Sequence, residues 1–350
     1  MEESSRLEIN AARIYWLDNL KAIGVFLVVL SHMNLNPYVF QYIHSFTLPI
    51  FFFVSGCLFN RKKYTFKTFF IKSFRTILAP YLFFSGLSFI IWFFLVRSLS
   101  HTGAALAIDP FKAFLGIFYA VGSGPWRNPL NVALWFFPCL FVVELLYFLM
   151  KDRWYLLPFL AIIGYTIGQL PFRLPLSADA AITGLVFYGM GRLHRVSWLS
   201  YKYIPVFLLL HLTFCFLNGQ TDMNNLLYGN IVYYYASAFA GIFLYASLCR
   251  LLKPNVIVNY VGRNTFIIIG MQGIVIYALH SIHHLFFGTK ITQDTFAAGL
   301  IFVSLIIASS IPAIYLINTY LPFLLGRPKQ QHAPSKLVTS TTWARQTPRN

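Results

Sequence analysis

Three ionisable residues, Asp18, Lys21 and His32, fall in the first apolar run of this chain. An ionisable group at membrane depth is costly, so each is a candidate for function. In a helix, the step from Lys21 to His32 amounts to about three turns plus 20°, which puts both on one face about 16 Å apart along the axis. Asp18 lies one turn before Lys21, within ion-pair reach, and the pairing lowers the cost of burying both. Imidazole titrates near neutrality, which suits His32 to general-base work. Taken singly, Asp18 and Lys21 read as snorkelling residues at one interface and His32 as a residue of the other. Three of them aligned on one face favour a site inside a bundle.

Other residues invite the same question. Lys72 and Arg75 precede the third apolar run, and two cations three apart on a helix can hold phosphates; on charge alone they read better as ordinary positive-inside anchors. Glu144 is a lone carboxylate in the middle of the fourth run and is expected to face a polar cavity. His280, His283 and His284 have a spacing that could bind metal, but no acidic or thiol partner accompanies them, so no metal site is expected. Cys57, Cys139, Cys215 and Cys249 all fall in apolar stretches and read as small buried hydrophobes. Trp126, Arg127 and Trp135 are candidates for sugar contact, because aromatic faces and forked donors suit carbohydrates, and they serve equally as belt residues.

The elements that must position these groups follow from composition. Of 350 residues, 58% are hydrophobic and 11% charged, where soluble domains carry about 25% charged residues. The expected fold is therefore an all-α polytopic membrane bundle. Ten apolar runs are long enough to span: about 14–33, 42–60, 77–96, 131–150, 154–170, 178–194, 203–218, 231–251, 264–287 and 296–321. With both termini in the cytoplasm, twenty-one basic residues fall in cytoplasmic segments and five (Arg97, Lys112, Arg127, Arg173, Lys290) outside. That asymmetry supports the orientation, since cationic loops resist translocation. It also assigns the +17 formal charge to topology and not to nucleic acid. The expected organisation is a cytoplasmic arm over 1–13, a transmembrane domain over 14–325 and a disordered cytoplasmic tail over 326–350. The first run is too long for the apolar core of a signal peptide and carries Asp18 and Lys21, so it reads as a retained helix.

Five collinear segments resemble the acyltransferase-3 family of membrane O-acyltransferases. Leu17-Asp18-Asn19-Leu20-Lys21-Ala22 leading to Leu30-Ser31-His32 is similar to that family's opening, with Lys21 where Arg is commoner. Phe46-Thr47-Leu48-Pro49 running to Ser55-Gly56 resembles its second-helix signature. Lys72 to Arg75 with Pro80-Tyr81 looks like its basic pair, Leu134-Trp135-Phe136 like its mid-chain element, and Gly262-Arg263-Asn264-Thr265 like its late turn into a helix. Thr47 and Gln272 stand where the family often has His.

The resemblance implies an O-acyltransferase, closest in look to the fucose-4-O-acetylase-like subgroup, moving an acyl group from acetyl-CoA to a hydroxyl of a cell-surface or exopolysaccharide sugar. It implies His32, Lys21 and Asp18 as the catalytic set, and Lys72 and Arg75 as the grip on CoA phosphates. Trp126, Arg127, Trp135, Glu144 and Asn264 would contact the acceptor. The expected partners are the lipid bilayer, acyl-CoA and a polysaccharide or lipid-linked acceptor in a bacterial inner membrane, with no permanently bound cofactor. The rival class is a transporter or flippase, which ten spans and the Pro/Gly-broken fifth and sixth runs would also suit. Dependence on His32 separates the two.

Overall fold

The computed structural model describes residues 15–99, 106–194, 198–288 and 295–327. The expected arm, and the tail beyond Arg327, lie outside the described residues. Those described build an all-helical bundle with no strand; the one extended pairing is an isolated bridge between Asp222 and Leu227. Helices suit such a sequence because, in hydrocarbon, every backbone polar group must be satisfied within its own segment.

In chain order the main helices begin with α1 (Tyr15–Leu30), α2 (Pro37–His44), α3 (Thr47–Leu58), α4 (Phe66–Val96), α5 (Pro110–Tyr119), α6 (Phe136–Met150) and α7 (Leu157–Ile167). They continue with α8 (Ala178–Leu193), α9 (Ile204–Asn218), α10 (Ile231–Leu251), α11 (Val256–Arg263), α12 (Thr265–Phe287), α13 (Phe296–Ser309) and α14 (Ile311–Tyr320). Their starts follow local chemistry. The Asn36, Asp109, Asn230 and Asn255 side chains each accept a backbone N–H of the helix they precede, and proline opens α2 and α5, as expected of caps.

All ten expected runs are helical, but their lengths differ. Among the described residues, seven helical stretches are long and apolar enough to cross a membrane: Pro37–Leu58, Phe66–Val96, Val132–Met150, Tyr201–Asn218, Ile231–Leu251, Thr265–Phe287 and Phe296–Tyr320. The other three runs are shorter: α1 and α8 have 16 residues each and α7 has 11. At 1.5 Å per residue, 16 residues span about 24 Å against a hydrocarbon core of about 30 Å. Both α1 and α8 are packed mostly against protein, so lipid thickness does not dictate their length.

The third run also begins earlier than expected. Thr65 and Thr68 form a capping box that starts α4 at Phe66, so Lys72 and Arg75 lie inside the helix and not ahead of it. A π turn over Phe74–Leu78 follows, with the Ala79 N–H reaching the Phe74 carbonyl. It sits just ahead of Pro80, which lacks the N–H for an ordinary turn. The stretch between the third and fourth runs contains α5 and a short turn of helix at Gly124–Trp126.

Candidate active site

His32 lies just past the C-terminus of α1. Its Nδ1–H donates to the Val28 carbonyl at 2.7 Å. A carbonyl can only accept, so the proton is on Nδ1 and the Nε2 lone pair is left for chemistry. The end of a helix also carries partial negative charge, which favours the imidazolium formed when Nε2 takes a proton. The side chain is exposed, and it lines a cavity of about 310 Å³.

The cavity is walled mainly by apolar side chains of α2, α3 and α6, among them Phe40, Leu48, Phe51 and Phe136. Trp135 lines it too. Two of its hydroxyls are already committed: Ser31 donates to Val28 O at 2.8 Å and Thr47 to Ile43 O at 2.6 Å. Thr47, the first residue of α3, thus ties that helix to the end of α2.

Over the cavity lies the loop between α9 and α10, which brings Asp222 and Asn224 to the lining. The Asp222 carboxylate folds this loop by accepting the backbone N–H groups of Asn224 (2.8 Å) and Asn225 (3.3 Å) and the Asn225 side-chain amide (2.6 Å). Asn224 donates to Gly122 O at 3.1 Å. A Cβ on Gly122 would stand 2.1 Å from the Asn224 Oδ1 and 2.5 Å from the Trp135 ring, so only glycine lets the two loops meet. Arg173 completes the lid: its guanidinium forks onto the buried Asp179 at 2.8 and 3.2 Å and donates to Ser123 Oγ and to the Asn224 carbonyl. Neither Asp222 nor Asn224 stood out in the sequence; Asp222-Met223-Asn224-Asn225 is a turn signature, and only the fold carries it to His32.

The other candidates lie elsewhere. Asp18 and Lys21 form their ion pair, 2.7 Å, and Arg263 approaches Asp18 at 3.7 Å. This cluster is at the far end of α1, about 16 Å from His32 along the axis, and does not line the cavity. Asn264 is buried with its amide spent structurally, donating to Tyr260 O and accepting from Asn318 at 2.9 Å. Arg327 donates to Asn318 and to the Arg263 carbonyl, so the first residues beyond the expected domain end are fastened to the bundle. Trp126 packs against Tyr119, centroids 5.5 Å apart, and Arg127 is exposed; neither lines the cavity.

Glu144 does face a polar cavity, but a second one. This pocket of about 360 Å³ is lined by Ser55, Asn60, Lys63, Lys72, Glu144 and Tyr188, among others. Glu144 is paired there with Lys72 at 3.5 Å and accepts the Ser73 hydroxyl. Arg75 is exposed and does not line the pocket. The two cavities share helices: α3 contributes Thr47 and Phe51 to one and Ser55 and Leu58 to the other, while α6 contributes Phe136 and Glu144. Phe136 and Glu144 are about 12 Å apart along their axis. Three of the four free cysteines are buried and Cys57 is half-buried, and no cluster of metal-binding side chains occurs among the described residues.

Residues 14–318 match a family described as an acyltransferase domain. The chain belongs to the acyltransferase-3 family. No curated protein and no solved structure matches it. In this acyltransferase the matched region contains the helices described above except the last two residues of α14, and it contains both cavities and every candidate residue. The chain is thus a membrane acyltransferase by family and by its apolar helices.

Proposed function

We propose that the protein is an O-acyltransferase moving an acyl group, in the simplest case acetyl from acetyl-CoA, onto a hydroxyl of a cell-surface or exopolysaccharide sugar. The fucose-4-O-acetylase-like subgroup is the nearest in character. One observation carries the reading: His32 presents a free Nε2 to a walled cavity, its tautomer held by a backbone carbonyl. His32 Nε2 takes the acceptor's proton as the oxygen attacks the thioester carbonyl. A C–O bond forms, the carbonyl electrons move onto oxygen, and on collapse the C–S bond breaks and CoA leaves as thiolate. His32 then releases its proton to that thiolate or to water.

The donor enters by the polar pocket. Lys63, Lys72 and Asn60 line that pocket, and ammonium groups suit phosphates. The acyl arm runs along α3 and α6 toward His32. On this reading the polar pocket and the Asp18–Lys21–Arg263 cluster lie on the cytoplasmic side of a bacterial inner membrane, with both termini, and the His32 cavity opens toward the outside. The basic-residue asymmetry supports that orientation. Lys21 and Asp18 act through α1, positioning it, because they stand a helix length from the reacting atoms.

The test compares O-acetyl content of the host's surface polysaccharide, by proton NMR, in a deletion strain complemented with wild type or with His32→Ala, with membrane levels matched. Acetyl signals restored by wild type and absent with His32→Ala support the proposal. Equal restoration removes His32 as the base. A change in polysaccharide amount with no change in acetylation favours a transporter.

A further inference from the structure

The cavity around His32 holds polar capacity that the base does not use. Ser31 and Thr47 spend their hydroxyls on backbone carbonyls of α1 and α2. The groups that remain come from two other elements. His44, at the end of α2, stacks on Phe40 with centroids 3.7 Å apart, and its Nε2 is enclosed with no hydrogen-bond partner. Asn224 has its Nδ2 engaged but its Oδ1 enclosed and likewise without a partner. An orphaned polar atom of this kind is costly in a finished core and calls for a ligand or water. Asp222 has used three acceptor positions on the loop fold, and a carboxylate offers about four.

These groups line the same cavity as Trp135. A mostly apolar pocket with a few convergent polar groups is the usual form of a small-molecule site, and 310 Å³ is at the small end of the usual range, about 300–1,000 Å³. That volume suits one sugar ring better than a long chain.

We infer that His44, Asp222 and Asn224 form the acceptor-hydroxyl subsite of the His32 cavity, reading the hydroxyls next to the one acylated. The inference rests on the proposed acyl transfer to a sugar and names the contacts that would select it. Asp222 takes the hydroxyl hydrogen of a neighbouring position with its remaining lone pair. His44 and Asn224 reach the ring substituents by rotation of their side chains, which also ends their lack of partners. Each is a specificity-determining contact, and His32 alone handles the transferred proton.

The test uses the full-length protein in nanodiscs and two readouts. Binding of methyl hexopyranosides and their monodeoxy analogues is followed by saturation-transfer NMR, and acetyl transfer from acetyl-CoA to the same sugars is followed by mass spectrometry. Asp222→Asn keeps the Oδ1 that accepts the two backbone N–H groups and gives up the Asn225 side-chain contact at Oδ2; His44→Leu removes the imidazole, and His44→Gln returns a hydrogen-bonding group. The expected result is loss of sugar affinity by about tenfold or more in Asp222→Asn and His44→Leu, with the KM for acetyl-CoA within twofold of wild type and partial recovery in His44→Gln. One monodeoxy sugar should bind wild type as weakly as the parent sugar binds Asp222→Asn. That comparison needs only wild-type protein on one arm, so a variant that fails to fold does not blunt it. Transfer by wild type with sugar affinity unchanged in both variants, or with all monodeoxy sugars bound alike, overturns the subsite and leaves the acyltransferase reading intact. Sugar binding that depends on Asp222 and His44, without transfer, keeps the subsite and overturns the reading.

Discussion

Lys72 of α4 and Glu144 of α6 form an ion pair, 3.5 Å, inside the polar pocket, and the neighbouring Ser73 hydroxyl donates to the same carboxylate. The two partners are unequally covered: the Glu144 side chain is 9% exposed and that of Lys72 38%. Replacing Glu144 by Ala leaves Lys72 a route to water and leaves Ser73 unpaired. The expected loss is about 1–2 kcal/mol, below the 3–5 typical of fully buried pairs, because the ammonium is partly solvated. Thermal unfolding in detergent reads it. Lys72→Met with Glu144→Leu should recover most of the loss; if the double variant is as unstable as Glu144→Ala, the pair is not what holds α4 to α6.

Gly262 brings α11 against α1. A Cβ there would stand 2.0 Å from the Asp18 carbonyl oxygen, a backbone atom that cannot swing aside. Gly262→Ala should therefore force the helices apart and disturb the Arg263 approach to Asp18. A cost of about 2–3 kcal/mol is expected from overpacking of this kind, seen as a fall in membrane abundance and in melting temperature. Wild-type stability in Gly262→Ala would mean that α11 can slide without penalty.

Asn264 separates a structural role from a substrate role. Both ends of its amide are engaged within the protein, at Tyr260 O and Asn318. Asn264→Ala should lower stability by about 1–3 kcal/mol, since it strands the Asn318 amide, while the KM for the acceptor stays at the wild-type value. A raised acceptor KM at unchanged stability would return Asn264 to the substrate site.

The helical bundle was legible in the sequence because long apolar runs with almost no charge have one stable outcome in lipid. The His32 side chain and its helix were legible too, as was the Asp18–Lys21 pair, since three- and eleven-residue spacings fix which residues share a face. Tertiary distance was not. Spacing aligned Lys21 with His32 and set them about 16 Å apart, but could not say which of the two would line a cavity, nor that Lys72 would take Glu144 as its partner. The lid was out of reach for a further reason: Asp222, Asn224, Arg173 and Gly122 meet only through loops far apart in the chain, which carry no periodicity to read. The π turn after Ser73 likewise left Arg75 outside the pocket that Lys72 lines.

That last difference gives a test of where the donor binds. Lys63 and Arg75 are both cations of the same charged end, but Lys63 lines the polar pocket and Arg75 does not. If CoA phosphates occupy that pocket, Lys63→Ala should raise the KM for acetyl-CoA by about three- to tenfold, the effect of losing one ammonium–phosphate contact. The effect should shrink as salt is added, because the contact is partly solvent-screened. Arg75→Ala should change the KM by less than twofold at any salt. Initial-rate kinetics of acetyl transfer in nanodiscs at low and at near-physiological ionic strength would separate the two. A larger effect for Arg75→Ala than for Lys63→Ala would move the donor's phosphates out of the pocket and onto the exposed face of α4.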